Sequence, residues 1–203
     1  MMRLYKLTNI LGQTHGNTQW GESVSHTAIG RLGQPLCSDG WIHAYESPEI
    51  AVLMNPNHGN FHNPRLWEAE GEIGLRDGPL KCGCRTLTTI REIPLPAFTK
   101  KQLIRFAIHC AAQVCSDTFW RLWAAKWLNG TDRSSKAASA ARPPGDAAAN
   151  NAAMAVVGST VVKAAAVYVA AAAEAACTVA EINLLAAIAF AKGSSNELPE
   201  CRR

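Results

Sequence analysis

Prolines divide this chain more sharply than any other feature of its sequence. Pro94 and Pro96 stand just before a helix-forming segment, residues 99–142, and Pro143-Pro144-Gly145 ends it. Proline has no amide hydrogen to donate, so strands and helices stop at such positions. The sequence before the segment reads as short strands and turns, and the sequence after it as alanine-rich helix. The sequence of 203 residues therefore predicts one part before this segment and another part after it.

The segment 99–142 carries its own helix signals. Thr99 and Gln102 have the spacing of a capping box, and Ser116-Asp117 interrupts the apolar pattern where a second helix can begin. Three tryptophans then fall on adjacent turns of that helix: Trp120, Trp123 and Trp127. Such a stripe can bind a partner or stack on a ligand. Burial between parts of the chain is the commoner use of large aromatic rings, and both interpretations stay open at this stage.

The first 98 residues predict a small α+β domain built on an antiparallel sheet. Alternating or β-branched stretches indicate strands at residues 3–8, 24–29, 41–45, 66–73 and 80–93. Ser47-Pro48-Glu49 supplies an N-cap, a proline at the first helical position and an acid in the first turn. We expect a short helix from there to Met54, followed by a long loop over residues 55–65.

The third part of the chain, residues 147–192, is rich in alanine and poor in charge. A single helix of this length would extend about 69 Å, too long for a compact domain. We expect a break at Gly158-Ser159-Thr160 and therefore two helices, which pack with the preceding segment as a helical domain over residues 99–193. Residues 194–203 are expected to form a loose tail.

Composition narrows the classes of function. Hydrophobic residues make up 48% and charged residues 18% of the chain, as in folded soluble proteins. Residues 100–203 carry a net charge of +5 without a Lys/Arg cluster, so nucleic-acid binding through this half is only an alternative. We expect no membrane span, because Asn150 and Asn151 interrupt the longest uncharged run. The odd number of cysteines and the absence of an export signal predict a cytoplasmic protein.

Two groups of side chains in the N-terminal half could carry chemistry. Cys82 and Cys84 lie two apart on one predicted strand, so both thiols point to the same face and could reach one metal. No second pair of potential ligands has a suitable spacing. We therefore expect no metal, and the alternative is that both cysteines are small buried thiols. Glu68, Glu70 and Glu72 form an acidic stripe on another strand, which is either a solvated face or a site that orients a sugar.

The order of residues in the N-terminal half resembles an ADP-ribosyltransferase-type fold. The resemblance rests on Tyr5 and Lys6 on a first strand, His43 and Tyr45 before a Ser-Pro-Glu helix, and a Trp-Glu-Ala-Glu strand. It implies an enzyme that uses NAD, with His43, Tyr45 and one glutamate of the acidic stripe, represented by Glu70, in the pocket. The glutamate would orient the ribose and stabilise an oxocarbenium-like transition state.

The helical half is similar to putative immunity proteins of bacterial toxin loci, and the whole arrangement resembles uncharacterised bacteriophage proteins. The similarity lies in Phe106-Ala107, Cys110-Ala111, Val114, Asp132-Arg133 and residues 137–142. It implies a phage or mobile-element accessory protein that binds and inhibits a host-defence or toxin protein, without catalysis or a cofactor. This is our leading hypothesis, and it implies a protein partner. Self-association through the helical half is left open. The NAD-dependent transferase and nucleic-acid binding are the alternatives.

Overall fold

The structure is a computed structural model that describes residues 1–158, 162–193 and 195–201. The chain divides into two compact units, Met1–Pro96 and Ala97–Arg203. The first unit contains an antiparallel sheet, and the second is helical. The predicted α+β class, with the sheet before an alanine-rich bundle, is confirmed.

A five-stranded antiparallel sheet, one α-helix and a short 3-10 turn at His15–Asn17 make up the first unit. Its elements are β1 (Met2–Thr8), β2 (Val24–Thr27), β3 (Ile42–Ala44), α1 (Pro48–His58), β4 (Arg65–Asp77) and β5 (Lys81–Ile93). The strand order is β1-β4-β5-β2, and β3 also pairs with β5. Register shifts along β4 and β5 mark bulges, which bend a hairpin and increase its twist.

The sheet closes on itself through a contact between its first strand and the end of β3. Tyr5 and Tyr45 exchange two backbone hydrogen bonds of 2.8 and 2.9 Å between N and O. The path β1-β4-β5-β3 therefore returns to β1. The inward-facing side chains form a core inside this closed path: Leu4, Trp20, Ala44, Ala69, Cys82, Cys84 and Leu87.

Helix α1 is longer than the sequence pattern predicts, and this corrects the expected loop over residues 55–65. The helix continues through Asn55 and Pro56 to His58. The side chain of Asn55 bonds both backbone groups of Phe61 at 3.1 Å, and its carbonyl accepts from the amide of Gly59 at 3.0 Å. One proline removes a single helical hydrogen bond, and these bonds around Asn55 hold the last turn in place.

The second unit contains six helices in the residues that the structure describes. They are α2 (Lys100–Ala112), α3 (Thr118–Asn129), α4 (Ser135–Ala140), α5 (Ala147–Val157), α6 (Val162–Val179) and α7 (Leu184–Lys192). The capping box of Thr99 and Gln102 is present, and Asp117 caps α3 through the amide of Trp120 at 2.7 Å. Both helix starts were therefore predicted correctly.

The alanine-rich region forms three helices rather than the two expected. Helix α5 ends at Val157 with Gly158 as its C-cap, and α6 begins at Val162, while Ser159 and Thr160 lie outside the described residues. The prediction missed a further break, where the side chain of Asn183 caps α7. None of the described helices is both long and apolar enough to cross a membrane.

Residues 195–201, which we expected to be a loose tail, form no helix or strand but are hydrogen-bonded to the helical unit. Buried Arg105 on α2 donates from Nη1 to the Oδ1 atom of Asn196 at 2.8 Å. Arg121 on α3 donates from Nη2 to the carbonyl of Pro199 at 2.6 Å. Two guanidinium groups thus hold this segment against the helices, and its length and polarity alone do not reveal such anchoring. Residues 194, 202 and 203 lie outside the described part of the chain.

Candidate functional site

His43, the first residue of the expected transferase pocket, is bound to backbone groups. Its Nε2 atom lies 2.6 Å from the carbonyl oxygen of Leu36, and because a carbonyl can only accept, Nε2 carries the hydrogen. Its own carbonyl accepts from the Nζ atom of Lys6 at 2.6 Å. Burial lowers the pKa of His43 from its ordinary value, which favours the neutral ring.

Tyr45 lies at the point where the sheet closes and is 6% exposed. Its hydroxyl is 3.3 Å from the Nδ1 atom of His58, and the two rings are stacked with their centroids 6.0 Å apart. The side chain therefore joins β3 to the C-terminal end of α1. The sequence pattern singled out Tyr45, but not its contact with His58, because that contact depends on the unexpected length of α1.

The acidic stripe on β4 lies on the outer face of the sheet. Glu68 is held between Arg3 and Arg91, each 2.8 Å away between nitrogen and carboxylate oxygen. Glu70 pairs in register with Arg3 on one side and Thr88 on the other, and it is exposed.

The contacts described above for His43 and Tyr45 are with residues other than these glutamates. The two residues make the backbone and α1 contacts given above, while Glu70 faces solvent. An NAD pocket needs convergent side chains. The NAD-binding site therefore stays a prediction.

Cys82 and Cys84 lie inside the sheet beside a lysine that the sequence did not identify as buried. The Sγ atom of Cys82 donates to the carbonyl of Ala44 at 3.4 Å. A hydrogen bond between the thiols raises the pKa of Cys82 and lowers that of Cys84, and Lys6 lowers the latter further. Among the described residues, no group of three or more potential His, Cys, Asp or Glu ligands could hold a metal ion.

Lys6 is the unexpected member of this core. Its side chain points inward between Leu4 and Thr8 on β1, and its Nζ atom lies 5.2 Å from the centroid of the Trp20 ring. Desolvation lowers its pKa to about 8, while nearby Cys84 opposes the shift. Alternation along β1 is consistent with the inward position of Lys6, but lysine is so rarely buried that the pattern alone does not predict it.

The three tryptophans of α3 lie in the interior of the helical unit. Trp120, Trp123 and Trp127 are 0%, 5% and 3% exposed. The Nε1 atom of Trp120 donates to the carbonyl of Ala149 at 3.0 Å, and Arg133 lies over the ring of Trp127. Their interpretation as binding residues is corrected accordingly, because rings this deeply buried offer no face to a partner or ligand.

The exposed surface of α3 carries two apolar side chains that the sequence analysis did not single out. Phe119 is 61% exposed and Leu122 is 54% exposed. They lie three residues apart on the helix and therefore side by side on its surface. Helix periodicity places Leu122 well away from the tryptophan stripe, but it places Phe119 beside Trp123, so the sequence did not reveal that Phe119 is exposed.

A cavity of about 340 Å³ opens in the helical unit between the start of α2 and the end of α7. Three cationic residues contribute to its lining: Lys101, Arg105 and Lys192. The remaining lining comes from Thr99, Gln102, Ala191, Gly193 and Asn196. Sequence reasoning missed this site, because its two sides are separated by about ninety positions along the chain.

No protein-family model, curated protein or solved structure matches the chain.

Proposed function

We propose that this chain is a phage or mobile-element accessory protein that acts by binding and inhibiting a host-defence or toxin protein. The observation that carries the binding role is the pair of exposed apolar side chains on α3, Phe119 and Leu122. The resemblance of the helical half to putative immunity proteins supplies the class of partner.

Helix α3 is suited to present this pair rigidly. Its N-terminus is capped by Asp117, its C-terminus ends at Gly130 in the left-handed conformation, and Trp120 anchors its inner face. Side chains on a rigid element lose little conformational entropy when they bind a partner. Aromatic residues are enriched at interface centres, and polar groups commonly form the rim, a position that exposed Lys126 can fill.

The binding role can be tested with a photo-crosslinking amino acid at position 122 in cells that carry the candidate partner. Val167 on α6 is 41% exposed and provides a matched control position. We expect one discrete adduct from position 122 and none from position 167. No adduct at 122, or the same adducts from both positions, would contradict a specific surface on α3.

The inhibitory role requires a second experiment with the partner that the crosslink identifies. Truncation of an interface anchor to alanine typically costs about 2 kcal/mol or more, which weakens binding roughly thirtyfold. Phe119→Ala should therefore lose both affinity and neutralisation, and Val167→Ala should keep both. Consumption of NAD that depends on His43 would instead support the transferase.

A further inference from the structure

We infer that the cavity between α2 and α7 is a binding site for a small phosphorylated ligand, with Lys101, Arg105 and Lys192 as its cationic residues. Three independent features point to an anion: an incompletely bonded buried arginine, the start of a long helix, and the two lysines. The site is separate from the proposed binding surface on α3 and does not depend on it.

Arg105 is the central feature of the cavity. It is 3% exposed. Its Nη2 atom donates to the carbonyls of Phe190 at 2.8 Å, Gly193 at 3.2 Å and Ser195 at 2.5 Å, and Nη1 donates to Asn196. Its Nε atom is buried without a hydrogen-bond partner in the part of the chain that the structure describes. A buried cation without a carboxylate partner is costly, and an anion in the cavity would offset this cost.

The start of α2 contributes a second source of positive potential. The capping box satisfies the amides of Thr99 and Gln102, but the amides of Lys100 and Lys101 at the first two helical positions have no carbonyl acceptor within the helix. No acidic residue occupies the first turn, where one would ordinarily balance the helix dipole. An anion here would bind both the helix start and the Lys101 side chain.

The chemistry of the lining favours phosphate over carboxylate. Three cationic side chains match a dianionic phosphomonoester better than a singly charged carboxylate, and arginine binds phosphate oxygens well. The volume, about 340 Å³, lies at the small end of ligand pockets and leaves room for an organic group attached to the phosphate. A compact cavity fits a small molecule rather than the length of a nucleic-acid backbone.

Calorimetric titration of the full chain with inorganic phosphate and with glycerol 3-phosphate tests this inference. We expect saturable binding with one site per chain, and an affinity at least about tenfold lower in Lys101→Gln and Lys192→Gln. Lys136→Gln on α4 is the control, because Lys136 is exposed and does not line the cavity. Its affinity should stay within about twofold of the unaltered chain.

The two ligands also distinguish the source of the phosphate. Tighter binding of glycerol 3-phosphate supports a phosphomonoester ligand, whereas equal binding supports the same site with inorganic phosphate as its ligand. Failure to saturate with either ligand would overturn the inference, as would an equal loss of affinity in Lys136→Gln and Lys101→Gln. Competition by an oligonucleotide without a terminal phosphate would also overturn it, because that result indicates a general basic surface.

Discussion

Replacement of Lys6 by methionine tests how the closed sheet holds a charged group in its core. The Nζ atom of Lys6 donates to the carbonyl of His43 and lies over the ring of Trp20. Desolvation lowers its pKa from the ordinary 10.5 to about 8. A shift of this size corresponds to a free-energy cost of about 3 kcal/mol for keeping the charged form in the folded state.

The sign of the pH dependence follows from the proton count in each state. Between pH 8 and 10.5 the unfolded lysine holds its proton while the folded lysine releases it, so the stability of the folded state rises with pH. The free-energy cost of keeping the charged Lys6 in the folded core is fully present below pH 8. Methionine does not titrate. We therefore expect the stability of the unaltered chain, relative to Lys6→Met, to rise by about 2.5 kcal/mol between pH 7 and pH 10.

Urea unfolding of both proteins at pH 7 and pH 10, with a thiol reductant present, measures this difference. The transition that Lys6→Met shifts is assigned to the sheet unit, and Lys100→Met on α2 serves as a control outside that unit. Because Lys6 also lowers the pKa of Cys84, the comparison is repeated in a Cys84→Ser background, where the rise should persist. The argument would be refuted if the difference in unfolding free energy between the two proteins were the same at pH 7 and pH 10 to within about 0.5 kcal/mol. Such a result would mean that water reaches the ammonium group of Lys6.

Three further predictions concern packing, capping and the C-terminal segment. Gly83→Ala would place a Cβ atom 3.0 Å from the Cβ atom of Trp41, so we expect the free energy of unfolding in urea to fall by about 1–3 kcal/mol. An unchanged urea midpoint would contradict this close approach of Gly83 to Trp41. Asp117→Ala removes the N-cap of α3 and should lower the unfolding free energy by about 1 kcal/mol, whereas Asp117→Asn should retain most of it. Arg121→Gln removes the bond to the carbonyl of Pro199, so hydrogen exchange in residues 195–201 should become faster, and unchanged exchange would show that other contacts hold the segment.

Several features of the fold could be predicted from the sequence, because the interactions that produce them are local. Thr99 and Asp117 bond amides three residues further on, so the helix starts follow from spacing alone. The alternation of buried Ala69 and exposed Glu70 on β4 follows from the two-residue repeat of a strand. Asn183 uses the same local chemistry as Asp117, but no Gly or Pro marks the break before it, so the sequence pattern does not reveal this helix start.

The candidate sites were less predictable, because each depends on side chains that the folded chain brings together from distant positions. The exposure of Phe119 and Leu122 depends on which sides of α3 the rest of the helical unit covers. The cavity requires α2 and α7 to lie together, and its central residue, Arg105, bonds groups 85 to 91 positions away. Helix periodicity identifies a face, but it does not specify the neighbour that covers it.

The sequence by itself determined the α+β class, the helix caps and the alternation of the strands, since neighbouring residues decide backbone conformation and side-chain direction. Tertiary structure alone decided that Tyr5 meets Tyr45 to close the sheet, that Lys6 is buried beside Cys84, and that Arg105 anchors the C-terminal segment. These outcomes depend on long-range pairing and on the desolvation of charge. Neither can be evaluated until the folded chain brings the partners together.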